Sequence, residues 1–163
     1  PIIAEDLGYV TDTVRRMVKE SGYPNMKVIE FAFDERDTGN ASDYLPHNYP
    51  RNCVVYTGTH DNNTIYGWYK EINKEDKRMS INYMNNKYTR DNAIHWDFIC
   101  LAMRSVADTC VIPVQDFLGL DESARINIPS TLGNNWKWRM TLGCFSQELI
   151  DKIKRLTKIY GRI

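Results

Sequence analysis

The sequences PIIAEDLG at residues 1–8 and CVVYTGTHDN at residues 53–62 share one pattern. In each, a short apolar run typical of a buried strand is followed directly by acidic side chains, with Glu5 in the first and Asp61 in the second. In barrel enzymes, side chains at the carboxyl ends of parallel strands carry the chemistry. The pattern therefore predicts strands that end at a common site.

The rest of the chain alternates between strand and helix signals. Strand-like runs lie at residues 2–4, 27–33, 53–57 and 109–114. Helical patterns lie at residues 11–21, 64–69, 91–106 and 146–160, with a loop at 34–51 and a short helix within the polar stretch 70–90. This alternation indicates an α/β fold with parallel strands. Four strands fit either an open doubly wound sheet or half of a (β/α)8 barrel, and composition does not separate the two.

Charge and composition exclude several classes of partner. Lys+Arg and Asp+Glu both number 21 in the 163 residues, so the net charge is zero. Nucleic acids and anionic membranes favour basic surfaces, so we expect neither as a partner. No apolar run is long enough to span a bilayer. The sequence starts at Pro1 inside a strand-like run, so we expect it to be part of a longer protein.

The cysteines give a weak indication of compartment. The four, Cys53, Cys100, Cys110 and Cys144, form no C-x-x-C pair and have no histidine at zinc-finger spacing. We therefore expect reduced, largely buried thiols, no metal site and a cytoplasmic location.

The two carboxylates suggest glycosidic-bond chemistry. A retaining glycosidase or transglycosylase needs a carboxylate nucleophile and a carboxylic acid that protonates the leaving oxygen. Glu5 is the candidate acid/base, although Glu5 or Asp6 could instead cap the following turn, and Asp6 itself is interpreted as structural. Asp61 is the second candidate, because an ionised carboxylate can stabilise an oxocarbenium-like transition state. His60 could donate a hydrogen bond to a sugar hydroxyl beside Asp61, or it could be a structural residue whose hydrogen bonds are made within the protein.

Other readings receive less support from the residues. No G-x-S-x-G elbow, G-x-G-x-x-G loop or Walker motif is present. His95 lies within a predicted helix and is interpreted as structural, whereas His47 fits loop packing and substrate contact equally well. The 4 Trp and 10 Tyr residues fit core packing, but they leave open a different class of protein, a non-catalytic module that binds glucans on aromatic platforms.

Several segments of the sequence resemble one known protein family. Residues 1–8 resemble the acid/base segment of the 4-alpha-glucanotransferases, also called amylomaltases or disproportionating enzymes, which form glycoside hydrolase family 77. Further segments resemble the family in its own order, at residues 23–28 (YPNMKV), 44–49 (YLPHNY), 56–62 (YTGTHDN), 113–120 (PVQDFLGL), 124–131 (ARINIPST) and 135–139 (NWKWR). Ile126 departs from the pattern, since methionine is usual there.

The resemblance implies a fold and residue roles. It implies a (β/α)8 barrel of the alpha-amylase clan, of which residues 1–163 form the C-terminal half, strands five to eight, truncated at the N-terminus. Glu5 resembles the general acid/base, Asp61 the transition-state stabiliser and His60 its sugar-binding neighbour. Asn127 resembles part of the acceptor-side cleft. The family needs no metal or organic cofactor.

The resemblance also implies an activity. The family cleaves alpha-1,4-glucans, such as starch, glycogen and maltooligosaccharides, and passes the sugar to another glucan; the alternative within the clan is hydrolysis. The family's nucleophile is an aspartate in an Arg-x-Asp segment, and no such segment occurs in residues 1–163. We therefore expect the missing N-terminal half of the barrel to be a partner, and the isolated chain to be inactive.

Overall fold

The computed structural model describes residues 2–34 and 41–163. Its helices and strands are, in chain order, α1 (Asp12–Ser21), β1 (Asn25–Val28), β2 (Cys53–Tyr56), α2 (Ile65–Glu71), α3 (Lys74–Met84), α4 (Ile94–Met103), β3 (Thr109–Val111), α5 (Val114–Phe117) and α6 (Gln147–Ile159). Single 3-10 turns lie at Glu30–Ala32, Ala41–Tyr44, Pro46–Asn48, Asp91–Ala93 and Glu122–Ala124. The alternation of strands and helices confirms the α/β class. Residues 35–40 of the predicted loop 34–51 lie outside the described residues.

The strands form a small parallel sheet in the order β1-β2-β3. Val28 of β1 pairs with Tyr56 of β2, which in turn pairs with Val111 of β3. The predicted strand at residues 2–4 is wrong in extent, since it contributes only one parallel bridge, between Ala4 and Asn25. The chain there runs beside β1 on the side away from β2, so four parallel segments lie in chain order.

Two other predicted strands end earlier than expected. The apolar run at residues 27–33 is a strand only as far as Val28, and its second half turns into the 3-10 turn Glu30–Ala32. Apart from Glu30, the run stays apolar because this turn is also buried, and apolar character alone does not separate a strand from a buried turn. The run at residues 109–114 ends as a strand at Val111, because Pro113 has no N–H for the ladder and precedes α5.

Helix ends follow local chemistry in most places. Thr11 caps α1 by accepting a hydrogen bond from the Val14 N–H, and Gly22 ends it in the left-handed region at φ 69°. The Ser146 hydroxyl caps α6 in the same way, as predicted. The predicted helix over residues 91–106, for which Asp91 is the expected cap, is wrong at its start. Asp91 begins a 3-10 turn that has no side-chain cap, and α4 begins at Ile94.

The main core lies between the sheet and helices α2 to α4. Phe98 on α4 is fully buried and makes edge-on ring contacts with Trp68 and Phe33, with centroids 5.4 and 6.1 Å apart. Burying aromatic side chains in such pairs contributes strongly to stability. This core packs against β2 from the helix side of the sheet, so the loop that follows β2 begins at a fixed position.

The thiols and helices give two further results. All four cysteines are free, as expected, and burial raises the pKa of the Cys53 and Cys110 thiols to about 11. Among the described residues, no helix has the length and apolar character needed to cross a bilayer.

Candidate active site

An open groove lies at the carboxyl ends of the strands. Its volume is about 930 Å³, and its lining includes residues that follow each of the four parallel segments. Among the lining residues are Glu5, Phe31, His60, Asp61, Asp116 and Arg125. Parallel strands bring their carboxyl ends to one edge, which is why residues far apart in sequence meet there.

Glu5 and Asp6 have different environments. The Asp6 carboxylate accepts hydrogen bonds from the Asn25 side-chain amide and the Met26 N–H, both at 3.0 Å, and so ties residues 5–7 to β1. Glu5 is exposed and lines the groove. Burial raises the pKa of the Tyr56 phenol, and the charge of the nearby Glu5 carboxylate raises it further. Asp6 therefore has a structural role, as predicted, and Glu5 stays exposed to the groove.

The loop after β2 is folded by its own side chains. The Asn62 side-chain oxygen accepts hydrogen bonds from the Thr59 N–H at 2.9 Å and from the Thr59 hydroxyl at 2.8 Å. The Thr59 hydroxyl accepts in turn from the Asp61 N–H at 3.2 Å. Side-chain-to-backbone hydrogen bonds of this kind fix tight turns. The backbone of Asp61 is therefore held by two neighbours within the loop.

Asp61 meets two of the other predicted site residues. Its Oδ1 accepts a hydrogen bond from Asn127 Nδ2 at 2.6 Å and lies 3.3 Å from His60 Nε2. The Asn127 N–H donates to the His60 carbonyl at 3.1 Å, so the two loops are joined by backbone as well. The structure thus brings His60, Asp61 and Asn127 into one cluster.

Arg125 is a member of this cluster that sequence reasoning missed. Its guanidinium donates to the Asp61 carbonyl at 2.6 Å and to the Asn127 carbonyl at 2.9 Å. It therefore clamps the backbone of both loops and places positive charge beside the Asp61 segment. The signal in the sequence was its place in the segment ARINIPST at residues 124–131, two residues before Asn127.

Trp136 was also missed as a site residue. Its ring packs against the His60 ring with centroids 5.1 Å apart and an interplanar angle of 37°. Its backbone lies at φ 64°, which is uncommon for a bulky residue, and its N–H donates to the Ile126 carbonyl at 2.7 Å. This hydrogen bond ties the strained turn to the loop that carries Asn127, so the indole stays over His60.

Three buried carboxyl groups lie close together at or near the groove, and none was singled out from the sequence. They are Glu30, Asp34 and Asp116, at 3%, 7% and 1% exposure. Burial raises the pKa of Asp116 to about 6, although its carboxylate accepts from the Thr57 hydroxyl at 2.5 Å and the Ile65 N–H at 2.8 Å. Burial, and then the charge of Asp116, raise the pKa of Glu30 well above its usual range.

The remaining histidines lie away from the cluster. His47 Nδ1 is 2.9 Å from the Tyr83 hydroxyl on the surface of the loop region. His95 is buried on α4 against Gly119, and desolvation lowers its pKa to about 4. Neither histidine lines the groove. Within residues 2–34 and 41–163, no group of three or more His, Cys, Asp or Glu side chains is arranged to hold a metal ion.

The chain is similar to proteins of one family over nearly its whole length. A sequence profile described as 4-alpha-glucanotransferase matches residues 1–144. A 4-alpha-glucanotransferase of Clostridium butyricum is 49% identical over 99% of this chain, and one of Synechocystis is 44% identical over the same share. The chain spans 32% and 31% of the lengths of these relatives.

A solved structure shows the same relationship in three dimensions. The amylomaltase of Streptococcus agalactiae, determined in complex with acarbose, superimposes with a TM-score of 0.90 at 37% identity. The match covers 99% of this chain and 32% of that structure. The parallel sheet and the helices described above therefore have a close counterpart in a solved enzyme.

Proposed function

The chain belongs to the 4-alpha-glucanotransferase family, and on that premise we propose that it supplies two catalytic carboxyl groups to an enzyme that transfers alpha-1,4-glucan segments between maltooligosaccharides. The observation that carries the proposal is the cluster around Asp61, which accepts a hydrogen bond from Asn127 and lies beside His60. Glu5 lines the same groove from the segment beside β1.

In this proposal, Glu5 is the general acid/base. It protonates the glycosidic oxygen of the donor glucan while a carboxylate nucleophile attacks the anomeric carbon, so that one glucan leaves and the other is held as a glycosyl ester. Glu5, now ionised, then takes the proton from the 4-hydroxyl of an acceptor glucan as that oxygen displaces the nucleophile. The exposed position of Glu5 in the groove suits both steps, because leaving and entering groups need access to it.

Asp61 is proposed as the transition-state stabiliser. Positive charge develops on the sugar ring as the glycosidic bond breaks, and a fixed carboxylate nearby lowers the energy of that state. Asn127 and His60 hold the Asp61 carboxylate, and Arg125 holds its backbone, so little reorganisation is needed during the reaction. His60 and Asn127 are proposed to contact sugar hydroxyls with their remaining hydrogen-bonding groups.

We also propose that residues 1–163 are one part of a (β/α)8 barrel, comprising strands five to eight. Four parallel segments lie in chain order with site residues at their carboxyl ends, as in one side of such a barrel. Apolar side chains at both outer edges are exposed, including Ile2 at 58% and Val111 at 41%. We propose that the N-terminal part of the barrel covers these edges and carries the nucleophile. An in-frame extension upstream of Pro1 with an Arg-x-Asp segment is expected, and a start codon directly before Pro1 would overturn this part.

The test uses the complete enzyme that carries this chain, with maltotriose as the substrate. The wild type is expected to release glucose and to form longer maltooligosaccharides, whereas only shorter products would indicate a hydrolase. We expect Glu5→Gln to lower kcat about a thousandfold, the middle of the range for general acid catalysis, with maltoheptaose binding retained. Asp61→Asn should lower kcat by about a hundredfold or more through lost charge stabilisation.

Two controls make this test specific. Glu20→Gln neutralises an exposed carboxylate on α1, away from the groove, and should leave kcat unchanged. The purified chain of residues 1–163 alone should release no glucose from maltotriose, because it lacks the nucleophile. Near-normal turnover in Glu5→Gln would show that Glu5 is not the acid/base. Tight binding of maltoheptaose by the isolated chain, without turnover, would instead favour a glucan-binding module.

A further inference from the structure

Glu30 is buried directly beneath the loop that carries Asp61. Its side chain is 3% exposed, and it lies in the 3-10 turn that follows β1. A Cβ atom added to Gly58 would stand 2.8 Å from Glu30 Oε1, which shows how closely the carboxyl group approaches the backbone of that loop. Gly58 does not have a positive φ, so space for Glu30, and not backbone conformation, requires glycine there.

A chain of side-chain contacts leads from Glu30 to Asp61. Asn62 lies beside the Glu30 carboxyl group, because the position of an added Gly58 Cβ is 2.8 Å from Glu30 Oε1 and 3.2 Å from Asn62 Cβ. The Asn62 side-chain amide is near enough to act on the pKa of Glu30 in the direction of a hydrogen-bond donor. The oxygen of the same Asn62 amide accepts two hydrogen bonds from Thr59. The Thr59 hydroxyl accepts from the Asp61 N–H. Each link fixes the next, so the orientation of the Asn62 amide determines where the Thr59 hydroxyl, and hence the Asp61 backbone, is held.

The surroundings of Glu30 favour its neutral form. Asp116 and Asp34 are close enough for their charges to disfavour a third one, and the carboxyl group is removed from water. The positive charge of Arg125 lowers the pKa of Glu30, but its guanidinium donates its hydrogen bonds to the carbonyls of Asp61 and Asn127. A neutral carboxyl group can hold Asn62 without placing another negative charge beneath the groove. Glu30 Oε1 accepts no hydrogen bond from the described residues, which also favours the neutral form of this buried group.

We propose that Glu30 is a positioning residue for Asp61, acting through Asn62 and Thr59, which rests on the function proposed above. Glu30 does not touch the substrate; it fixes the amide that folds the loop. A small displacement of a reacting group costs far more turnover than binding, because the transition state depends on orientation more steeply than the ground state does. Loss of the Glu30 contact should therefore lower kcat and leave KM nearly unchanged.

The experiment measures kcat and KM for maltotriose in the complete enzyme. Glu30→Met fills the same space without a polar group, and we expect it to lower kcat by about ten- to a hundredfold. Glu30→Gln keeps an uncharged carbonyl that Asn62 can reach, and it should restore kcat to within about threefold of wild type. Asp76→Ala removes another buried carboxylate, in the N-terminal turn of α3, and serves as the control that alters stability without altering kcat.

A double-mutant cycle tests the route through Asn62. Asn62→Ala should lower kcat about as much as Glu30→Met, and the double variant should lose little more, because both changes break the same chain of contacts. Additive losses, or equal losses in Glu30→Gln and Glu30→Met, would overturn the proposal. Wild-type kcat in Glu30→Met would overturn it as well, provided that Asp61→Asn lowers kcat by about a hundredfold or more, as expected above. Absence of transfer in the wild-type enzyme itself would instead refute the proposed function.

Discussion

Replacing Gly58 by alanine should strain the contact between the loop after β2 and the buried Glu30. The new Cβ would lie 2.8 Å from Glu30 Oε1, 3.2 Å from Asn62 Cβ and 3.3 Å from the Asn63 carbonyl oxygen. Ordinary contacts of a Cβ atom begin at about 3.4 Å, so Glu30 or the loop must move by roughly half an ångström. Such overpacking costs about 1–3 kcal/mol of unfolding free energy.

The assay combines urea unfolding, followed by tryptophan fluorescence, with turnover of maltotriose by the complete enzyme. Gly22→Ala is the matched control, because its Cβ would enter open space at φ 69° and cost about 1 kcal/mol through backbone strain alone. Both variants are expected to be less stable than wild type. Only Gly58→Ala should also lower kcat, since only that change displaces the loop that carries Asp61.

A second variant shows whether Glu30 is the group that clashes. Glu30→Ala removes the carboxyl group that the new methyl would meet, so the double variant with Gly58→Ala should be more stable than the sum of the single changes predicts. We expect a coupling free energy of at least about 1 kcal/mol. Wild-type stability in Gly58→Ala, or strictly additive effects in the double variant, would refute the packing argument.

Two predictions concern stability elsewhere in the fold. The folded-state pKa of Asp116, about 6 against an ordinary 3.8, means that its contribution to stability is present below pH 4 and is lost as the pH rises through 6. The complete loss is about 3 kcal/mol, of which about 2.4 kcal/mol falls between pH 4 and 7. Because the side chain in Asp116→Asn does not ionise, the difference in unfolding free energy between variant and wild type should change by about 2.4 kcal/mol over that range, and a constant difference would contradict this. The Arg162 guanidinium donates to the carbonyls of Met103, Ser105 and Ala107, at and just beyond the end of α4. Arg162→Met should lower the unfolding free energy by about 2–4 kcal/mol, with Arg162→Lys intermediate, and an unchanged urea midpoint would show that these bonds contribute nothing.

Much of the fold follows from local pattern. Alternation of apolar runs with helical patterns gave the α/β class, and Thr11, Gly22 and Ser146 marked helix ends because capping depends on a few neighbouring residues. Strand lengths were predicted less well. The run at residues 27–33 is mostly apolar although only its first part is a strand, since a buried turn needs much the same side chains as a buried strand.

The candidate site, like the fold, could be predicted from the sequence only in part. The sequence by itself determined that Glu5, His60 and Asp61 follow strand-like runs, and motifs throughout the chain identified the family. Only the tertiary structure decided which groups meet. Arg125 reaches Asp61 across 64 positions in the chain. Glu30 and Asp116 become buried carboxyl groups beside one another only when β1, β2 and α5 pack together. Distance between remote residues and removal from water are products of packing, so no local pattern in the sequence could specify them.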